Sequence, residues 1–497
     1  MTVLLPDAVL LLAVLLALIN ETTARVSTAE ERVPSGASHR TYAIALGASV
    51  LAAFGYAPCA ALDTHTHFFF SRMIVIDPFA SVMKAAVAAG FAITLVYSRA
   101  YLEARNLLRG DLIMLALCSL IGQCVMISGA HFLTLYLGLE LMSLPLIAMI
   151  ALRRDAAHAL EAAMKYYVLS ALASGILLYG ISMIYGATGA LGLDEVSRVL
   201  ITGPVNTTIL LLSVVFIVAG LAFKLGAAPF HMWVPDIYHG APAALTLLIG
   251  GAPKIAAFAW SLRMLASGLF PLAVDWQPML AILAALSLVI GNLVGLVQRN
   301  IKRMLAYSAV AQMGFVLLGL LSGVVDRQAG SAVHAYSAAM FYNMIYVLTT
   351  LGSFGVVLAL SRRGFESDQL EDLKGLNQRH PVFALVMLLM MFSLAGIPPT
   401  AGFYAKFAVL EALVNAGSIW LAALAVMTSL IGAFYYLRVV KLMYFDAPAQ
   451  RTPIVTTRSV CALLALNGGA VLMLGILPGP LMSACMYAIP LIFQPFC

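Results

Sequence analysis

Long apolar runs, each near twenty residues and parted by short polar connections, follow one another along the whole chain. A bilayer core of about 30 Å needs an α-helix of about twenty apolar residues to cross it, so each run predicts one span. The pattern predicts about fourteen, with approximate limits 2–20, 41–62, 78–98, 111–129, 131–152, 160–187, 207–231, 238–262, 276–297, 303–322, 333–360, 381–413, 417–437 and 459–480. The fold class is therefore all-α and polytopic, with one membrane domain over 1–497. The longest polar connections, 21–40, 63–77, 188–206 and 361–380, have room for a hairpin or a surface helix but not for a further domain.

Two runs break the pattern. The seventh contains Lys224-Leu-Gly-Ala-Ala-Pro229-Phe-His231, and the twelfth contains Gly396-Ile-Pro-Pro399-Thr-Ala-Gly402 ahead of Lys406. Proline removes a backbone donor and glycine loosens the helix, so both spans are expected to break at membrane depth. A broken helix survives there only where protein or an aqueous cavity satisfies the freed backbone groups. Two such spans, five apart and each beside a lysine, suit two inverted five-helix repeats, placed at 111–262 and 276–437.

Composition agrees: the chain is 62% hydrophobic and 10% charged, with mean hydropathy +0.98. Soluble domains carry roughly 25% charged residues. The first apolar run, Met1 to Asn20, lacks a basic flank and a small-residue cleavage site, and reads as a retained helix. The net charge of +6 comes from loop arginines and lysines rather than from a basic, aromatic-laced stripe, which argues against nucleic-acid binding. Nineteen basic residues follow odd-numbered spans, whereas only Arg72, Arg198, Arg263 and Arg327 follow even-numbered ones. That bias predicts cytoplasmic odd loops and both termini on the opposite, periplasmic side. The six cysteines form no CxxC pair, so no iron–sulfur centre is expected, and no phosphate-cradling glycine motif is visible. Any redox cofactors must belong to partners.

The informative residues are the charges inside the spans. Lys84, Lys165, Lys224, Lys254 and Lys406 lie in apolar stretches, as does Glu140. A charge at the bilayer centre costs at least ~2.5–3.5 kcal/mol, so such residues usually mark an ion path. Glu140, about nine residues into its span, reads either as half of a structural ion pair or as a charge-coupled switch. Lys224 stands beside the first break, where desolvation is the general route by which a lysine comes to exchange protons near neutral pH. If Glu140 approaches, the anion holds the proton on Lys224; if it recedes, the proton is free to leave. Lys254 has no acid near it in sequence and suits onward relay. Lys406 follows the second break, and its one local acid, Glu411, faces elsewhere on the helix. His231 suits either proton relay or a solvated cap. Lys165 follows Glu161 by one helical turn, where a local ion pair or snorkelling competes with a role in transfer. Lys84 is expected to snorkel, and His334 and Tyr435–Tyr436 to pack or anchor.

Several stretches carry a family resemblance. These are Leu135-Tyr-Leu-Gly-Leu-Glu140-Leu-Met-Ser-Leu-Pro-Leu, Ala222-Phe-Lys224-Leu-Gly-Ala-Ala-Pro-Phe-His231-Met-Trp-Val-Pro-Asp236, Asn300-Ile-Lys-Arg-Met-Leu-Ala-Tyr-Ser308 and Ser393-Leu-Ala-Gly-Ile-Pro-Pro-Thr-Ala-Gly-Phe-Tyr-Ala-Lys406-Phe. They resemble the antiporter-like membrane subunits of NADH–quinone oxidoreductase, respiratory complex I. Among its three large membrane subunits the chain looks most like the N type. Lysine at 406 argues against the M type, and an end at Cys497 without a long amphipathic helix argues against the L type. The resemblance implies fourteen helices, two inverted five-helix repeats, and a proton channel using Glu140, Lys224, Lys254 and Lys406. It also supports Lys165 and His231. It implies FMN, iron–sulfur clusters and quinone in partner subunits, no redox chemistry in this chain, and a bacterial inner membrane. The same motifs occur in multi-subunit sodium/proton antiporters, the alternative reading.

Overall fold

The computed structural model describes residues 4–28, 35–62, 66–154, 156–203, 205–324, 329–361, 364–448, 454 and 456–490. Two helices, α1 (Leu5–Thr28) and α2 (Ser35–Leu62), precede a hairpin of β1 (His67–Phe69) and β2 (Ile74–Ile76), with His67 opposite Ile76. Then come α3 (Pro78–Ala104), α4 (Gly110–Ser128), α5 (Phe132–Ala151) and α6 (Ala157–Thr188). A short amphipathic helix, α7 (Leu193–Thr202), buries Leu193 and Val196. Arg72 of the hairpin turn reaches Asp194 of α7 at 3.0 Å, so the two longest early connections hold each other.

The next span, α8 (Thr207–Leu225), stops short, and α9 (Trp233–Gly240) is followed by α10 (Ala243–Gly250) and α11 (Ala252–Leu262). A π-helical turn, Arg263–Gly268, extends α11. The second half comprises α12 (Ala273–Val297), α13 (Ile301–Ser322), α14 (Ala329–Leu360), α15 (Leu376–Arg379), α16 (Pro381–Ala395), α17 (Ala401–Asn415) and α18 (Ile419–Tyr444). The last two are α19 (Arg458–Ile476) and α20 (Gly479–Ala488).

Among the described residues thirteen helices are long and apolar enough to cross a membrane. The predicted twelfth span is missing from that count because its break splits it into α16 and α17, neither of which crosses alone. Where the sequence predicts one helix over 238–262, the structure has the end of α9 and then α10 and α11, which are parted at Gly251. The connections 21–40 and 361–380 are shorter than expected, because α1 runs on to Thr28 and α15 occupies part of the second.

Both breaks have the same local cause. Gly226 (φ +76°) and Gly396 (φ +83°) end α8 and α16 in the left-handed conformation, which a side chain at Cβ disfavours. Each N–H turns back onto the last helical carbonyls, and the prolines at 229 and 398–399 prevent the helix from resuming at once.

The core is the central column. Helices α10, α11 and α13 are buried nearly all round, while α1, α6 and α18 present Leu15, Leu172 and Leu430 outward. In a bilayer those faces meet lipid or partner helices. Tight antiparallel pairs recur in both halves: α4 lies along α5, and α12 along α13.

Candidate functional site

Lys224 sits in the last turn of α8, with its side chain buried. Its Nζ donates to Ser143 Oγ of α5 and Ser170 Oγ of α6, each at 2.9 Å. Glu140, one turn before Ser143 on α5, is the carboxylate close enough to act on Lys224 electrostatically. Yet the two form no ion pair, and Glu140 Oε1 is buried without a hydrogen-bond partner. Both expected partners are therefore present and not joined.

Lys254 lies on α11, three residues beyond the interruption at Gly251. Its Nζ donates to the carbonyl of Leu225 at 2.7 Å and stands 5.3 Å from the centre of the Trp233 ring. The acceptor is the last residue of α8, next to Lys224 in the chain. A cation there meets the negative end of the helix dipole and satisfies a carbonyl that the break left over.

Lys406 repeats this arrangement in the second half. From α17 its Nζ donates to the carbonyls of Leu394 and Ala395, the end of α16, at 2.8 and 3.0 Å, and to Ser429 Oγ at 2.7 Å. Phe315 lies under the ammonium at 5.2 Å. Glu411 is exposed and takes no part. Lys406 is thus the spatial counterpart of Lys254, a lysine from elsewhere that caps a broken helix, and not of Lys224, which belongs to the broken helix itself.

Two sets of polar contacts stand between the lysine sites, meeting only through the consecutive residues Tyr342 and Asn343 of α14. Asn343 of α14 donates to the carbonyl of Lys254 at 3.2 Å, and its neighbour Tyr342 donates to Gln312 Oε1 of α13. Gln312 Nε2 in turn donates to Tyr436 Oη at 3.1 Å and to the carbonyl of Leu394 at 3.2 Å. That carbonyl is also an acceptor for Lys406. Tyr436 and Ser308 share a hydrogen bond of 2.5 Å, and Thr349 and Ser393 one of 3.2 Å. A small cavity lined by Gln312, Tyr342, Tyr346, Thr349, Ser393 and Lys406 lies at the Lys406 end of these contacts.

Several residues differ from expectation. Lys165 is exposed on α6 and ion-paired to Glu161 at 2.8 Å and to Asp236 at 3.2 Å, the latter also 3.4 Å from Arg303. It lies outside the buried row. His231 falls in the break between α8 and α9, half-buried beside Tyr307, with Nδ1 unpartnered. Lys84 does not snorkel: it is 3% exposed and its Nζ is 3.0 Å from both oxygens of Asp7, on α1. Arg263, expected in a loop, is 4% exposed and holds both oxygens of Asp77, at 2.8 and 3.0 Å. Tyr436 belongs to these polar contacts rather than to a membrane interface. Gln312 was open to detection as an amide in an apolar run. The serines were not, because a serine in a helix usually satisfies itself on the carbonyl four residues back.

Among the described residues, no three His, Cys, Asp or Glu side chains gather into a possible metal site. The arrangement can hold and pass protons: ammonium groups stand on hydroxyl and carbonyl acceptors, with tyrosines and an amide between them. Residues 129–432 match the family described as NADH:quinone oxidoreductase/Mrp antiporter, TM, which makes this an antiporter-type membrane protein. The chain is 62% identical over 494 residues to NADH-quinone oxidoreductase subunit N of Paraburkholderia phymatum, covering 98% of each. It is 60% identical over 428 residues to that of Herminiimonas arsenicoxydans, covering 85% of this chain and 87% of the relative. A chain of respiratory complex I from Thermus thermophilus superposes with TM-score 0.81 at 29% identity, covering 98% of this chain and 100% of its own. A chain of the Mrp complex from Dietzia superposes with TM-score 0.83 at 20% identity, a likeness of fold alone. This chain belongs to the NADH-quinone oxidoreductase subunit N family.

Proposed function

We infer that this chain is the proton-translocating membrane subunit of NADH–quinone oxidoreductase, and that Glu140, Lys224, Lys254 and Lys406 carry its protons. The observation that carries this reading is the half-buried Glu140 left unjoined beside Lys224, with polar side chains of α13, α14 and α18 set between Lys254 and Lys406. Two unit charges brought to about 4 Å in a medium of effective dielectric ~20 interact by roughly 4 kcal/mol. That is about a thousandfold in a protonation equilibrium, enough to decide whether Lys224 keeps its proton. A charge signal from the partner subunits moves Glu140 relative to Lys224. The proton released passes Lys254 and the chain of Tyr342, Gln312 and Tyr436 to Lys406.

In this reading FMN, the iron–sulfur clusters and quinone belong to partner subunits, and this chain does no redox chemistry. Full-length identity to the subunit N relatives favours it over the sodium/proton antiporter. The two breaks, with matched glycine caps, support inverted repeats at 111–262 and 276–437. The loop-charge bias supports both termini on the periplasmic side of a bacterial inner membrane. Lys165 and His231 flank the row and serve at most its entrance.

The test is Glu140→Gln in the assembled complex. Proton uptake per NADH in inverted membrane vesicles is expected to fall, with assembly and NADH oxidation by an artificial acceptor unchanged. Undiminished proton uptake with normal assembly would sink the switch.

A further inference from the structure

The two hydroxyls that hold Lys224 have no place in the chain of proton carriers, and their geometry gives them another task. Ser143 is three residues after Glu140, so both side chains share one face of α5. Ser143 spends its only hydroxyl proton on the carbonyl of Leu139, which leaves its oxygen solely an acceptor for the ammonium. Ser170 supplies the second acceptor from α6, and both serines are buried, at 0% and 3% exposure. A buried ammonium without acceptors is driven to the nearest anion, because desolvation makes an unpaired charge so costly. Here that anion is Glu140, whose Oε1 is empty.

We propose that Ser143 and Ser170 are positioning residues that park Lys224 apart from Glu140, making the unpaired state of the switch as accessible as the paired one. The proposal rests on the charge-switch reading above and deepens it. A bistable element needs two arrangements of comparable free energy, and a lysine facing a bare carboxylate has only one. The second half is consistent with this. Among the described residues Lys406 has a hydroxyl, Ser429, and two helix-end carbonyls as partners and no acid, so none of them competes as an anion for the ammonium.

The experiment is the holoenzyme with Ser143→Ala, Ser170→Ala and both together, reconstituted in proteoliposomes beside Glu140→Gln. A hydrogen bond to a charged group is worth about tenfold or more in an equilibrium, so each single change should shift Lys224 toward Glu140 by roughly that factor. The double variant is expected to assemble, oxidise NADH and lose as much proton yield per NADH as Glu140→Gln. Its infrared carboxylate band, identified by subtraction against Ser143→Ala/Ser170→Ala/Glu140→Gln, should move to the position of an ion-paired carboxylate. A purely structural role for the serines would leave that band in place. Should the double alanine variant fail to assemble, Ser143→Cys and Ser170→Cys keep the volume and weaken the acceptor, and the same loss is expected of them. Wild-type proton yield in the serine variants, with Glu140→Gln impaired, overturns parking alone. Normal pumping by Glu140→Gln overturns the switch and parking with it.

Discussion

The two broken helices are alike in backbone and unlike in charge. Both end on a left-handed glycine, both restart beyond proline, and both offer their last carbonyls to a lysine from another helix. Around the first break, however, stand a second lysine and a half-buried carboxylate that are not joined. Around the second, among the described residues, the lysine has only carbonyls and a hydroxyl. A site with an acid nearby responds to charge, whereas a site built of neutral acceptors is set by geometry. The first break therefore suits the input of a signal, and the second the holding and handing on of a proton.

The helix that carries Lys254 is itself held at its far end by a buried ion pair. Arg263, at the end of the helix that carries Lys254, donates from Nη2 to both oxygens of Asp77 and from Nε to the carbonyl of Ile127. Removing one partner of such a buried pair costs about 3–5 kcal/mol. Asp77→Ala is expected to give the largest effect of all, a loss of assembled complex on native gels and a lower unfolding temperature. Normal assembly would show that α11 needs no such anchor.

Lys406→Arg tests whether the second break works by geometry or by exchange. The guanidinium can still donate to the helix-end carbonyls but cannot be deprotonated. Assembly should persist while proton uptake per NADH is lost; retained pumping would make Lys406 a structural cap. Tyr342→Phe removes the hydrogen bond to Gln312 within the second half, which costs about 1 kcal/mol of stability. Proton yield should drop severalfold, and a phenylalanine variant with the native yield would take Tyr342 off the path.

Smaller effects come from outside the row. Lys165→Gln should change proton yield by less than twofold, because its ion pairs are exposed and screened. A loss as deep as that of Glu140→Gln would put Lys165 back on the path. The smallest concerns His380, whose Nδ1 accepts from Phe383 N–H and caps α16. Partial burial lowers its pKa from the ordinary value. The unfolded chain then binds the proton more readily, so the cap's contribution is present above the ordinary histidine value and is lost as pH falls through the lower folded one. Thermal unfolding at mildly acidic pH should show this, and His380→Asn should remove the dependence. An unchanged pH dependence in that variant would assign it elsewhere.

Much of this molecule was legible beforehand, and the reason is the bilayer. Hydrocarbon penalises every exposed backbone group, so spans must be long apolar helices, and the proline–glycine breaks within them stand out. Glu140, Lys224, Lys254 and Lys406 stand out for the same cause: a charge in an apolar run needs an explanation. The order of residues alone therefore set the spans, the breaks and the charged atoms available inside them. Their partners were decided only by tertiary structure. Lys84 and Asp7 are 77 residues apart, Lys224 and Ser143 81, and Arg263 and Asp77 186. No periodicity records which faces of distant helices meet, and serine, tyrosine and glutamine look alike in an apolar run whether idle or engaged. The packing of α5, α6 and α8 is what turned two unremarked serines into the acceptors that hold Lys224 away from Glu140.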